Sequence, residues 1–249
     1  MNTIANSRFI GEVLIELPSV DSTNEYAKQL LSKSKPAEGT VIFTRKQTAG
    51  KGQFGKKWES AAGENLTFSV ILYPDFIEAG KAHLLHYVAS LALHDFFESL
   101  QVHPKIKWPN DIYCADNKLC GILIENALMK ENLSYSVIGI GINVNQTVFS
   151  PDIPNPVSLR MLLGKHFDLT PLLPDFFPFL EKRYLQLKEG NIAAIKKAYQ
   201  SHLYRLDEKK TFKTSTESFE GIIRGVDDSG RLMIEVDGEM RYSTTDFIL

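Results

Sequence analysis

Three glycines fall within six residues, Gly50, Gly52 and Gly55, among the lysines Lys51, Lys56 and Lys57. This run limits what can be built around it. Glycine adopts backbone conformations closed to other residues and lets main-chain N–H groups approach a ligand closely. With lysines beside it, the segment from Gln47 to Trp58 describes a loop able to wrap a phosphate or carboxylate; the other reading is a solvated hairpin loop. Its spacing satisfies the dinucleotide fingerprint (Gly50, Gly52, Gly55) and most of a P-loop (Gly50, then Gly55 and Lys56). Both motifs need a helix directly afterwards, whose N-terminus meets the phosphates. Here Lys57 stands where a P-loop has Ser or Thr, and residues 66–73 read as a strand. The loop is therefore expected to join two strands, which excludes both nucleotide folds.

Along the chain, residues 9–17 alternate as a first strand, and Ser22 with Glu25 three residues later forms a capping-box pattern opening a helix. Polar residues at a helix start serve as caps, and the same N-terminus can bind an anion. Strands are expected at 39–44 and 65–73, then a long buried helix over 80–100 with an apolar stripe from Leu84 to Phe96. His83, His86 and His94 on that helix lack a carboxylate cluster at matching spacing and read as packing or surface residues. Residues 105–108 and 119–124 read as strands, with a turn at Asp116 and Asn117. Residues 135–144 form another, where Gly139 and Gly141 point to one face. Either the sheet bulges there or something presses close against the backbone. Three prolines make 149–156 a loop, and short helical patterns follow at 158–163, 170–189 and 191–203. From Leu206 the pattern changes to five short strands (210–213, 217–226, 231–236, 240–242, 246–249) with hairpin turns at 227–230 and 237–238, which suggests a small barrel.

The bulk numbers exclude several classes. A net charge of −2 over 249 residues gives no basic surface for non-specific nucleic-acid binding. No apolar run reaches the roughly 18 residues of a membrane span, and residues 1–10 carry no secretory signal. Cys114 and Cys120 fit no zinc spacing, and two thiols suit a reducing, cytoplasmic setting.

Polar positions later in the chain could complete an anion site. Lys107, Trp108, Pro109, Asn110 and Asp111 place a cation, an amide and a carboxylate at a strand end. Asp111 is either a turn cap or a ligand for magnesium, which prefers oxygen donors and phosphates. Lys118 is either a surface turn lysine or a pocket lysine over a phosphate. Five blocks taken together are more specific: Ser22-Thr23-Asn24, Gln47 to Trp58, Lys107 to Asp111, Lys118 to Glu125, and Gly139 to Asn143. In order and spacing they resemble biotin protein ligases, over residues 13–163 and more weakly through the C-terminal barrel.

That resemblance implies an α+β fold: a mixed sheet with helices like the class II aminoacyl-tRNA synthetase and biotin ligase catalytic fold over residues 1–203, and an SH3-like barrel over 204–249. It implies two steps, activation of biotin by ATP to biotinyl-5′-AMP with Mg2+, then transfer to a lysine of a biotin carboxyl carrier protein or domain. By position, Lys118 and Lys51 resemble the catalytic cations. Ser22, Thr23, Asn24, Gln47, Gly50, Lys51, Lys118, Gly121 and Gly139 resemble biotin-binding positions. Gly50, Lys51, Gly52, Gln53, Phe54, Gly55, Trp58, Lys107, Asn110, Asp111, Lys118 and Asn143 resemble the ATP or adenylate end, with Asp111 toward the metal.

The loop departs from the family pattern, in which arginines alternate with the glycines: Lys51 replaces the first arginine, and Gln53 and Phe54 leave none in the second half. Lysine lacks arginine's bidentate fork, so Lys56 or Lys57 is expected to compensate. Longer members carry an N-terminal winged helix; only about 20 residues precede Ser22, and no repressor activity is expected. The sequence leaves open whether the chain forms a homodimer through a sheet edge. Rival readings are a lipoate protein ligase, a biotin sensor without catalysis, and a nicotinamide-dependent dehydrogenase, which would need a helix after Gly55.

Overall fold

The computed structural model describes residues 8–213 and 217–244. Seven strands make one mixed sheet: β1 (Leu14–Leu17), β2 (Val41–Thr44), β3 (Leu66–Leu72), β4 (Lys105–Lys107), β5 (Asp111–Cys114), β6 (Asn117–Met129) and β7 (Asn132–Ile142). Across the sheet they run β1-β2-β3-β7-β6-β5-β4. Only β1 and β2 are parallel; every other neighbouring pair is antiparallel.

Side chains alternate between the faces of a strand, and here the two faces differ in kind. Leu66, Phe68, Val70 and Leu72 of β3, with Ile138, Ile140 and Ile142 of β7, point into the main core. That core is completed by α2 (His83–Ser99) and, later in the chain, α4 (Leu169–Lys188), packed together over this face. Asp95 and Arg183 join these helices through two parallel bonds of 2.7 and 2.9 Å. On the opposite face, α1 (Thr23–Lys33) covers a smaller cluster built on Ile42, Ile71 and Val137, with Leu17, Tyr73 and Tyr135 packed against it. The rest of that face is left for a cavity. Two further helices, α3 (Leu159–Leu163) and α5 (Ile192–Ser201), follow the Pro-rich loop and α4 respectively.

The C-terminal strands β8 (Lys209–Lys213), β9 (Ser218–Val226), β10 (Leu232–Val236) and β11 (Glu239–Ser243) form a consecutive antiparallel sheet that fits an SH3-like fold. Asp237 and Gly238 both have positive φ (51° and 85°), as a two-residue hairpin turn requires. The β9–β10 turn is fastened to the large sheet, because the Trp108 indole N–H donates to the Gly230 carbonyl at 3.0 Å. The expected strand at 246–249 lies outside the described residues.

Several expectations need correction. The first strand begins at Leu14, not at residue 9, because residues 9–13 form a turn and bends. This entry is held by Glu181 of α4, whose buried carboxylate accepts from the backbone N–H of Arg8, Phe9 and Ile10 at 2.7, 2.9 and 3.0 Å. The capping box does not form: Ser22 makes no side-chain cap bond, and Glu25 is bound by lysines instead. Residues 111–114, where no strand was expected, form β5, and β6 runs on from Asn117 to Met129 rather than over 119–124. Among the described residues no group of three His, Cys, Asp or Glu is placed to hold a metal.

Two stability predictions follow from this packing. Glu181→Ala would orphan three backbone donors, and should cost roughly 3 kcal/mol in denaturant unfolding, by the ordinary worth of charge-assisted hydrogen bonds. His86 keeps some exposed surface, but its Nδ1 is enclosed without a partner. Desolvation, and secondarily the charge of His83, lowers its pKa to about 4. The unfolded chain takes up this proton near pH 6.5 and the native state resists it. Stability is therefore complete above about pH 6.5 and drains as pH falls toward about 4, by on the order of 1–2 kcal/mol once partial exposure is discounted. Unfolding curves at pH 7 and 4.5 should show this loss, and His86→Phe should flatten it.

Candidate active site

The cavity arises from a row of positions across four strands that carry little or no side chain. Thr67 of β3 pairs with Gly141 of β7, Gly141 with Gly121 of β6, and Gly121 with Asp111 of β5. One step along, Ser69 pairs with Gly139, and Gly139 with Leu123. Glycines at 121, 139 and 141 strip the Cβ atoms from the middle of this patch, and the sheet face becomes a hollow of about 980 Å³. The close partners implied by the paired glycines are present. A Cβ on Gly139 would lie 2.3 Å from Asn24 Oδ1, and one on Gly141 would lie 2.3 Å from the Trp58 indole.

One end of the floor is polar and locked. Ser22, Thr23 and Asn24, at the start of α1, are buried and line the cavity. Gln47 Oε1 accepts from the Thr23 backbone N–H at 2.9 Å. Ser69 Oγ lies 2.7 Å from Thr23 Oγ1 and 2.6 Å from Asn24 Oδ1. The Asn24 amide donates to the Leu123 carbonyl (3.2 Å) and to Glu125 (2.9 Å). Thr23, Asn24, Gln47 and Ser69 are thus oriented by one another and by the strands.

The other end carries charge. Lys118 Nζ lies 2.7 Å from Asp111 Oδ1 and 5.8 Å from the centre of the Trp58 ring. The Asp111 contact is an ion pair without hydrogen-bond alignment, and Oδ1 is otherwise unpartnered. The Lys118 backbone is held by the Pro-rich loop: its N–H donates to Asn155 (2.7 Å) and its carbonyl accepts from Val157 (3.0 Å). Asn143 ties the same place together, donating to the Val157 carbonyl at 3.1 Å. Asn110 exchanges two bonds with Ile122, at 2.8 and 2.9 Å, and so pins the turn that carries Asp111. The Trp108–Pro109 peptide in that turn is cis.

The glycine-rich loop joins β2 to β3 as expected, with a single 3-10 turn at Gln53–Gly55 and no helix after Gly55. Gly50 is packed beneath Trp58, where a Cβ would lie 2.3 Å from the Trp58 carbonyl. Lys51, Gly52, Gln53, Lys56, Lys57 and Trp58 line the cavity, whereas Gly50 and Gly55 do not. Phe54 belongs to the 3-10 turn, and its side chain lies outside the described part. Lys51 and Lys118 border the same cavity, but neither ammonium is bare: Lys51 Nζ lies 2.5 Å from Glu25 Oε1.

The structure brings in residues that the sequence reading missed. Ser69 was hidden inside an apolar strand. The loop 149–156 was read only as a connection, yet Phe149, Ile153 and Pro156 form a wall. Tyr204, Arg205, Lys210 and Thr211 border the cavity from the start of the C-terminal segment. Tyr204 and Arg205 both donate to Asp116 at 2.6 Å. Proximity of this kind has no sequence signal.

Hydrogen-bonded polar groups, the lysines Lys51 and Lys118 and the Trp58 ring therefore border one cavity. Comparison with known proteins supplies the class. Residues 16–143 match the model of the biotin/lipoate A/B protein ligase family, and the chain belongs to that family. It is 32% identical over 232 residues to the bifunctional ligase/repressor BirA of Bacillus spizizenii, covering 91% of this chain and 70% of that protein. It is 31% identical over 227 residues to the biotin–[acetyl-CoA-carboxylase] ligase of Paracoccus denitrificans, covering 88% and 92%. The biotin protein ligase of Aquifex aeolicus in complex with biotin and ATP superposes with a TM-score of 0.80 at 28% identity, covering 95% of this chain and 98% of that one.

The seating of Trp58 can be tested directly. In Gly141→Ala the new methyl would lie 2.3 Å from the indole, so the ring must leave the sheet. Its fluorescence, isolated by difference against Trp58→Phe, should shift to the red. An unchanged emission would mean that the ring does not rest on Gly141.

Proposed function

We propose that this chain activates biotin with ATP and transfers the biotinyl group to a lysine of a carboxyl carrier protein or domain. The observation that supports it best is that Lys51 and Lys118 line the same cavity as Thr23, Asn24 and Gln47, whose donors and acceptors are held by hydrogen bonds. In the first step a biotin carboxylate oxygen bonds to the α-phosphorus of ATP, the bond to the β-phosphate oxygen breaks, and pyrophosphate leaves. In the second, a carrier lysine amine attacks the acyl carbon of biotinyl-5′-AMP, loses a proton, and expels AMP. Both reactants of the first step are anions, so positioning and positive charge carry most of the catalysis.

Ser22, Thr23, Asn24 and Gln47 would hold the ureido head, with Gly121 and Gly139 leaving room beside them. Lys118 would bridge the carboxylate and α-phosphate, and Lys51 would stabilise the same centre from the loop. Gly50, Gly52, Gln53, Phe54 and Gly55 shape that loop. Trp58, Lys107, Asn110 and Asn143 would border the adenylate. Residues 1–203 are read as the ligase unit, and residues 204–249 as a second unit closing the nucleotide end. The chain is read as cytoplasmic, and no helix among its described residues is long and apolar enough to cross a membrane. The sheet edge is read as a possible homodimer contact.

Magnesium fits the residues present in one way. Asp111 Oδ1 is buried and has no hydrogen-bond partner, and Mg2+ takes one or two carboxylates together with phosphates and water. Asp111 would therefore hold the ion, which when bound neutralises phosphate charge. Lys118, its present ion-pair partner, would be free to turn to the reacting oxygens.

Incubation of a carrier domain with this protein, ATP, magnesium and biotin should add one biotinyl group to a lysine, read by mass spectrometry; lipoate in place of biotin should not. Lys118→Met should lower biotin-dependent exchange of pyrophosphate into ATP by roughly 100- to 1,000-fold, the usual effect of removing one preorganised electrostatic group. Exchange that depends on lipoate instead of biotin would overturn the reading.

A further inference from the structure

Lys51 belongs to the cavity wall, but its ammonium is turned to α1, where it meets Glu25 Oε1 at 2.5 Å. Lys28, one turn further along the helix, reaches the same oxygen at 2.8 Å and Glu125 Oε1 at 2.6 Å. Glu125 in turn accepts from Asn24, the residue pressed against Gly139. A line of contacts therefore runs from the loop to the cavity floor, and Glu25 is the one carboxylate in it that touches the loop. The hydrogen bond from Lys28, and next that from Lys51, holds the Glu25 carboxyl below the usual carboxylate range, so it is charged at neutral pH.

We propose that Glu25 is a positioning residue that holds Lys51 against α1 and competes with the bound acyl-phosphate for it. The inference rests on reading the cavity as the site of biotinyl-5′-AMP. To serve that anion, Lys51 must let go of Glu25. Its departure leaves Lys28 alone between two carboxylates. The better Lys28 satisfies Glu25, the more readily Lys51 is released. Two neighbouring substitutions should therefore act in opposite directions, which a merely structural role for the helix end would not produce.

The test uses the full chain and radiolabelled biotinyl-5′-AMP formed on the enzyme from biotin and ATP, then chased. In Glu25→Gln the adenylate should leave roughly two- to five-fold more slowly, the scale of one exposed ion pair. In the unliganded protein the amides of residues 50–57 should exchange faster by a similar factor. In Lys28→Met the adenylate should leave roughly two- to five-fold faster, because Lys51 is then the nearest partner left to Glu25. In a Lys51→Met background, Glu25→Gln should change nothing further. Faster loss or no change in Glu25→Gln, matching signs in the two single variants, or an undiminished effect without Lys51 would each overturn the proposal. A wild-type enzyme that accumulates no labelled adenylate would instead overturn the reading of the cavity, and the proposal with it.

Discussion

Everything in this site depends on a stretch of sheet that lacks side-chain bulk. A strand buried on both faces ordinarily fills each with branched or aromatic residues. Here β3 and β7 do so along one face, with Phe68, Val70, Ile138 and Ile140 locked into the helix-covered core, but on the other only at Ile71 and Val137 beneath α1. On the other face, Thr67, Ser69, Gly121, Gly139 and Gly141 lie side by side through strand register. The hollow is rigid because the core behind it is packed, and Cβ atoms restored at 139 and 141 would meet Asn24 and Trp58 at 2.3 Å.

The same geometry supplies the cavity's lysines with counter-charge. Each of the two lysines singled out has a carboxylate beside it, Asp111 for Lys118 and Glu25 for Lys51. Unpaired charge in a recess would be disfavoured by desolvation and mutual repulsion. Pairing removes that cost but must be undone when an anion binds. A chain of net charge −2 can thus hold a local anion site that its overall balance does not reveal.

Local pattern made much of this legible. The glycine loop was recognisable as a strand–strand connection because the residues after Trp58 lack helical periodicity. Gly139 and Gly141, two apart on a strand, left a bulge and a close neighbour equally open, and the fold decides for the neighbours Asn24 and Trp58. The capping box misled because Ser22 and Glu25 have the right spacing, yet lysines contributed by the loop and the helix claim the carboxylate. β5 was missed because its four residues follow directly on a proline turn, where local propensity is weak and pairing with β4 and β6 decides the outcome. Tyr204 and Arg205 could not be found at all, since nothing near them in sequence says that they meet Asp116.

The two lysines differ in a way that composition cannot show. Lys118 sits at the start of a 13-residue strand, with its backbone gripped by Asn155 and Val157 and its carbonyl near the amide of Asn143. Its ammonium swings from a fixed point. Lys51 is carried on a glycine-rich loop, with about half of its side chain exposed, and its loop is held mainly by short turns, an isolated bridge to Lys57 and the Gly50–Trp58 contact. Charge on a fixed point stabilises a developing oxyanion without reorganisation at the moment of reaction. Charge on a movable loop can wait until the reactants have entered and then help to enclose them. On the proposed reading of the cavity, a lysine at position 51 suits the second role: an ammonium forms less directional pairs than a guanidinium fork, and is therefore easier to pass from a carboxylate on the helix to an anion in the cavity.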